Sequence, residues 1–73
     1  MTLTLHIDVF FCGKARRAIQ NRAVLQETLE HTFADEYSYT SDSESDCVNL
    51  KAIIEEQFAD YEIPADEYEI SII

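Results

Sequence analysis

The stretch that decides the fold is residues 2–11, TLTLHIDVFF. Leu3, Leu5, Ile7, Val9 and Phe11 alternate with Thr2, Thr4, His6 and Asp8, and the pattern breaks only at Phe10. Successive side chains of a strand point to opposite faces, so this period of two describes a strand with one face on a core and the other in water. A sheet built on such a strand needs cover on one face only.

The rest of the chain supplies that cover. Cys12-Gly13 punctuates the strand end, and the residues from about Lys14 to about Glu36 read as a helix. Ala18, Leu25, Leu29 and Phe33 recur at helical spacing, with Ala15, Ile19 and Ala23 widening the stripe. No Gly or Pro interrupts it. Its basic residues precede its acidic ones, an order that opposes the helix dipole. Tyr37-Ser38-Tyr39-Thr40 is rich in strand formers and is read as an optional short strand. Residues 41–46, SDSESD, read as a polar loop. Ser45 or Asp46 then caps a second helix, with Leu50, Ile53, Ile54, Phe58 and Tyr61 on one face and Glu55, Glu56 and Asp60 on the other. Ile63-Pro64 ends it. From Glu67 to Ile73 the chain alternates again, with Tyr68, Ile70 and Ile72 on one face.

The order strand, helix, optional strand, helix, strand predicts a small α/β two-layer sandwich. Two helices pack on one face of a sheet of two to three strands. If the helices form a hairpin, the terminal strands lie side by side and antiparallel. Seventy-three residues correspond to a single domain, 1–73, and 47% apolar residues suffice for a core.

Charge narrows the function. Fifteen Asp and Glu stand against five Lys and Arg, a net of −10. That excludes direct nucleic-acid binding as the main activity, because phosphate contacts need cations. The apolar runs Val9-Phe10-Phe11 and Ala23-Val24-Leu25 are far shorter than the ~20 residues of a membrane span. The first residues lack the basic-then-apolar order of a signal peptide, and Cys12 and Cys47 are too few for a disulfide scaffold, so the expected location is the cytoplasm.

Chemical motifs are weak. Gly13-Lys14 lacks the first glycine and the hydroxyl residue of a phosphate loop, because Ala15 stands in the latter's place. Asp42, Glu44 and Asp46 alternate as at the start of a calcium loop, but Cys47 and Ile53 occupy the positions that need Gly and Glu. His6, Cys12, His31 and Cys47 lack zinc-ligand spacing. No base accompanies Cys12 to make it a nucleophile. Neither an enzymatic activity nor a metal or cofactor is expected.

The acids are concentrated. Residues 27–73 hold fourteen of them against Lys51 alone, whereas residues 1–26 hold Asp8 against Lys14, Arg16, Arg17 and Arg22. Carboxylates this dense repel one another and oppose compaction. Solubility or a generally acidic surface accounts for a moderate excess, and −10 on so short a chain exceeds it. The expected contact surface comprises Asp42, Glu44 and Asp46 in the loop, Glu55, Glu56 and Asp60 on the second helix, and Glu62, Asp66, Glu67 and Glu69 after it. Tyr37 and Tyr39 read as exposed, and tyrosine is common at interface hot spots. The cluster Arg16, Arg17 and Arg22 either ties down the acidic half by ion pairs or meets an acidic partner.

In size and acidity the chain resembles a class of phage- and plasmid-encoded inhibitors that includes anti-CRISPR and anti-restriction proteins, several of them DNA mimics. The resemblance implies a non-enzymatic inhibitor whose partner is a basic nucleic-acid-binding protein, such as a CRISPR effector complex. A rigid surface of carboxylates would sit in the partner's DNA groove, with the chain a monomer or weak dimer. Two other classes remain open: an immunity protein or antitoxin that neutralises a basic toxin, and a small regulatory subunit that docks through a tyrosine-rich edge.

Overall fold

A computed structural model describes residues Met1–Ile73. It contains β1 (Leu3–Asp8), α1 (Gly13–Gln20), α2 (Ala23–Thr28), β2 (Glu30–Phe33), β3 (Glu36–Ser41), α3 (Glu44–Asp60), a 3-10 turn (Ala65–Glu67) and β4 (Glu69–Ile72). The strands form one antiparallel sheet in the order β2-β3-β1-β4, so the sheet has four strands where two to three were expected. The helices pack on one face, as the alternation of β1 requires. The terminal strands are neighbours and antiparallel, with Ile7 opposite Ile70 and Leu5 opposite Ile72.

The core lies between the layers. Leu5, Ile7 and Val9 from β1 meet Ala15, Ala18 and Ile19 of α1, Leu25 of α2, and Leu50, Ile54 and Phe58 of α3. Tyr37 of β3 joins them, only 4% exposed. The reading of Tyr37 as a surface residue is therefore corrected. It faces the core because it stands opposite Ile7 in register, and Tyr39, opposite Leu5, is half-buried beside it.

The long helix expected over 14–36 is also corrected. It ends at Gln20, a short helix follows over 23–28, and 30–33 is an edge strand. His31, Thr32 and Phe33 favour extended backbone, and pairing to β3 satisfies their peptide groups there. Phe33, placed in the helical stripe by its spacing, is 72% exposed. The shorter helix removes part of the conflict with the dipole, because Arg17 now lies in the last turn of α1, where a cation is favourable, while Lys14 and Arg16 stay in its first turn.

Ser43, two to three residues earlier than expected, caps α3, its hydroxyl accepting from the Asp46 amide at 3.4 Å. Phe11, assigned to the core face by alternation, is 85% exposed. The turn out of β1 is made by Phe10 and Phe11 in left-handed backbone, at φ 44° and 62°, which rotates Phe11 away from the core. Gly13, expected to form that turn, is simply the first residue of α1.

Candidate functional site

The sheet sends the acidic residues to two ends of a molecule 33 × 22 × 22 Å. Leu3 pairs with Ser41, so the start of α3 lies at the Leu3 end of β1. Asp42, Glu44 and Asp46 are there, all exposed. Asp8 pairs with Glu69, so the end of α3 and the segment after it lie at the other end, about 17 Å away along β1. Glu62, Asp66, Glu67 and Glu69 are at this second end, again all exposed. Glu55, Glu56 and Asp60 line the outer face of the second half of α3. Between the two acidic groups that face is occupied by exposed Val48, Asn49 and Ala52.

Few of these charges are compensated within the chain. Two ion pairs form, Arg16 with Asp35 at 3.9 Å and Arg22 with Glu56 at 3.6 Å, and His6 Nε2 lies 3.1 Å from Glu36 Oε1. Arg16 and Arg22 thus reach acids, whereas Arg17 is exposed and pairs with none. Of the predicted contact residues only Glu56 is paired. At the start of α3, Glu44 and Asp46 complement the helix dipole. Asp60, in its last turn, opposes it with no basic residue there to offset the charge, while Glu55 and Glu56 lie a turn earlier, where the dipole effect has largely faded. A charge in that last turn costs the helix about 0.3–1 kcal/mol at low salt.

The second end carries more charge than the sequence suggested. Asp8 of β1 stands between Glu36 of β3 and Glu69 of β4, a row of three acids across the uncovered face of the sheet. Like charges directly opposite one another destabilise a sheet. His6, beside the row, contacts Glu36 through Nε2. The 3-10 turn is tied to this end by Cys12, whose thiol donates to Glu67 Oε2 at 3.1 Å.

No protein-family model, no curated protein and no solved structure matches the chain. No helix is long and apolar enough to cross a membrane.

Sequence reasoning missed an aromatic feature at this same end. Phe10, Phe11 and Phe33 are 47%, 85% and 72% exposed and flank one groove of about 430 Å³, lined also by Asp8, Ala34, Asp35 and Glu36. The groove lies between the β1–α1 turn and the β2–β3 turn. The first turn is held by the Phe10 amide donating to Asp8 Oδ1 at 2.9 Å and the Cys12 amide donating to the Val9 carbonyl at 2.8 Å. Left-handed backbone costs a residue with a side chain about 1–2 kcal/mol. Two in succession therefore store strain at a point where both rings face outward. The signal in the sequence was the break in alternation at Phe10-Phe11, where two aromatic rings in succession cannot both face the core.

Proposed function

We propose that the protein is a non-enzymatic inhibitor that binds a basic nucleic-acid-binding protein, of the kind found in CRISPR effector complexes, and occupies its DNA groove with carboxylates in place of phosphates. The observation that carries this reading is the crowding of exposed acids, all but Glu56 outside any ion pair, where they repel one another. They crowd the C-terminal half of α3, where Asp60 also opposes the dipole, and continue through Glu62, Asp66, Glu67 and Glu69. Charge serving solubility alone would favour positions without that cost. Basic DNA grooves attract such a surface at long range, and arginine–carboxylate pairs formed on contact add geometric fit. Asp42, Glu44 and Asp46, at the far end of α3, extend the contact along its length of about 25 Å.

A tyrosine-rich docking edge has less support, because Tyr37 is in the core. A toxin neutraliser would use the same electrostatics, and the identity of the captured protein separates the two. The test is capture from lysates that express candidate effectors, washed at low and high salt, with and without duplex DNA. Mimicry requires a DNA-binding partner that is retained at low salt and displaced by both DNA and salt. A partner indifferent to both overturns it.

A further inference from the structure

We propose that the groove between Phe10, Phe11 and Phe33 receives an arginine side chain from the partner protein, with Asp35 of its lining accepting the guanidinium. This rests on the preceding reading for the basic character of the partner, and it names the chemistry of one contact. Asp35 is the decisive residue. Its side chain is 7% exposed, yet Oδ1 has no hydrogen-bond partner. A buried carboxylate oxygen without a donor is costly. The nearest cation, Arg16 Nη1, is 3.9 Å away, too far for a hydrogen bond. The backbone around Asp35 is fixed, since its carbonyl accepts from the Val9 amide at 2.9 Å. The carboxylate is thus held at the groove with accepting capacity to spare.

The remaining lining selects the ligand. Asp8 and Glu36 stand opposite each other in register and add negative charge beside Asp35. The three phenyl rings supply apolar and π surface. Arginine combines a planar cation that stacks on aromatic rings with a fork of donors that matches a carboxylate. A neutral apolar ligand would leave Asp35 Oδ1 without a donor, and a bare cation would leave the rings uncovered. The groove adjoins the acidic end of the molecule, because Asp8 also faces Glu69. A basic partner seated on that end brings its side chains to the groove.

The experiment titrates the isotope-labelled full chain with a blocked Leu-Arg-Leu tripeptide and, in parallel, with the same peptide carrying citrulline, which is nearly isosteric and uncharged. The arginine peptide should shift the amide resonances of Phe10, Phe11, Phe33 and Asp35 and bind about tenfold more tightly than the citrulline peptide. Asp35→Asn should remove that preference. Phe11→Ser, at an exposed position, should weaken binding severalfold and keep the fold even if Asp35→Asn does not. Equal response to both peptides, or a preference that survives Asp35→Asn in a folded protein, overturns the proposal. So do shifts of these resonances with protein concentration alone, which would assign the groove to a second copy of the chain. The variant Glu55→Lys/Glu56→Lys/Asp60→Lys separates the two readings: it should lose the captured partner yet bind the arginine peptide as the parent does.

Discussion

The backbone amide of Ile63 donates to the carbonyl of Phe58 at 3.0 Å, and both side chains are buried in the core. With the Glu62 amide donating to the Ala59 carbonyl at 3.0 Å, this closes the end of α3 in a Schellman motif. Glu62 takes the left-handed position at φ 56°, where glycine is usual. Glu62→Gly should stabilise the fold by about 1 kcal/mol, a rise in Tm of about 4–8 °C. Glu62→Ala removes the charge and keeps the backbone penalty, so it should gain less. Equal thermal melts for the two variants would assign the gain to charge.

Gln57 is a polar residue inside the helix layer. Its Nε2 donates to the Ala18 carbonyl at 2.9 Å, and its Oε1 accepts from Arg22 at 3.4 Å. It thereby satisfies a carbonyl in the last turn of α1 and joins α1 to α3. Gln57→Ala leaves that buried carbonyl without its donor and should cost about 1–3 kcal/mol, read as a lower midpoint in urea. An unchanged midpoint would mean that the bridge is replaced at no cost.

The same residue marks the limit of periodicity as a guide. The regular pattern of β1 identified the sheet and its covered face, because Leu5, Ile7 and Val9 have no other place to go. The α3 stripe of Leu50, Ile54 and Phe58 was equally plain. Gln57 was invisible, since a stripe of apolar residues says nothing of a polar one that answers a helix end. The segment after Gln20 misled because Leu25 and Leu29 suit a helix and are buried in the structure as well. What decides against one long helix is the bare edge of β3, a tertiary demand. The exposed acids were legible as charge, but their division between two ends depended on strand register. The groove at Asp35 depended on it too, as well as on two left-handed phenylalanines that composition cannot reveal.

Only three of the fifteen acidic residues lie within 4 Å of a basic side-chain nitrogen. Repulsion among the rest should make the fold depend on screening. Raising sodium chloride from near zero to about 0.5 M shortens the Debye length below ~5 Å. The gain should reach about 1 kcal/mol, or about 4–8 °C in Tm. Sodium chloride is preferred to sulfate, which also strengthens apolar burial. A Tm independent of salt would mean that the acids are too dispersed to repel, and would weaken the argument that they burden the fold.

That burden gives the strongest prediction for function. Reversing Glu55, Glu56 and Asp60 to lysine adds two charges at each position and takes the net charge from −10 to −4. Lysine at position 60, in the last turn of α3, complements the dipole and gains about 0.3–1 kcal/mol, and all three changes relieve repulsion among the acids. The lost Arg22–Glu56 contact is solvent-exposed and worth about 0–1 kcal/mol. The triple variant should therefore melt no lower than the parent. Its capture of the basic partner should nevertheless be abolished, because the carboxylates that replace phosphates become cations facing cations. Thermal melting and capture, measured on one preparation, check both halves. Loss of binding with stability intact places the partner on α3. Retained binding in a stable variant removes this face from the contact surface.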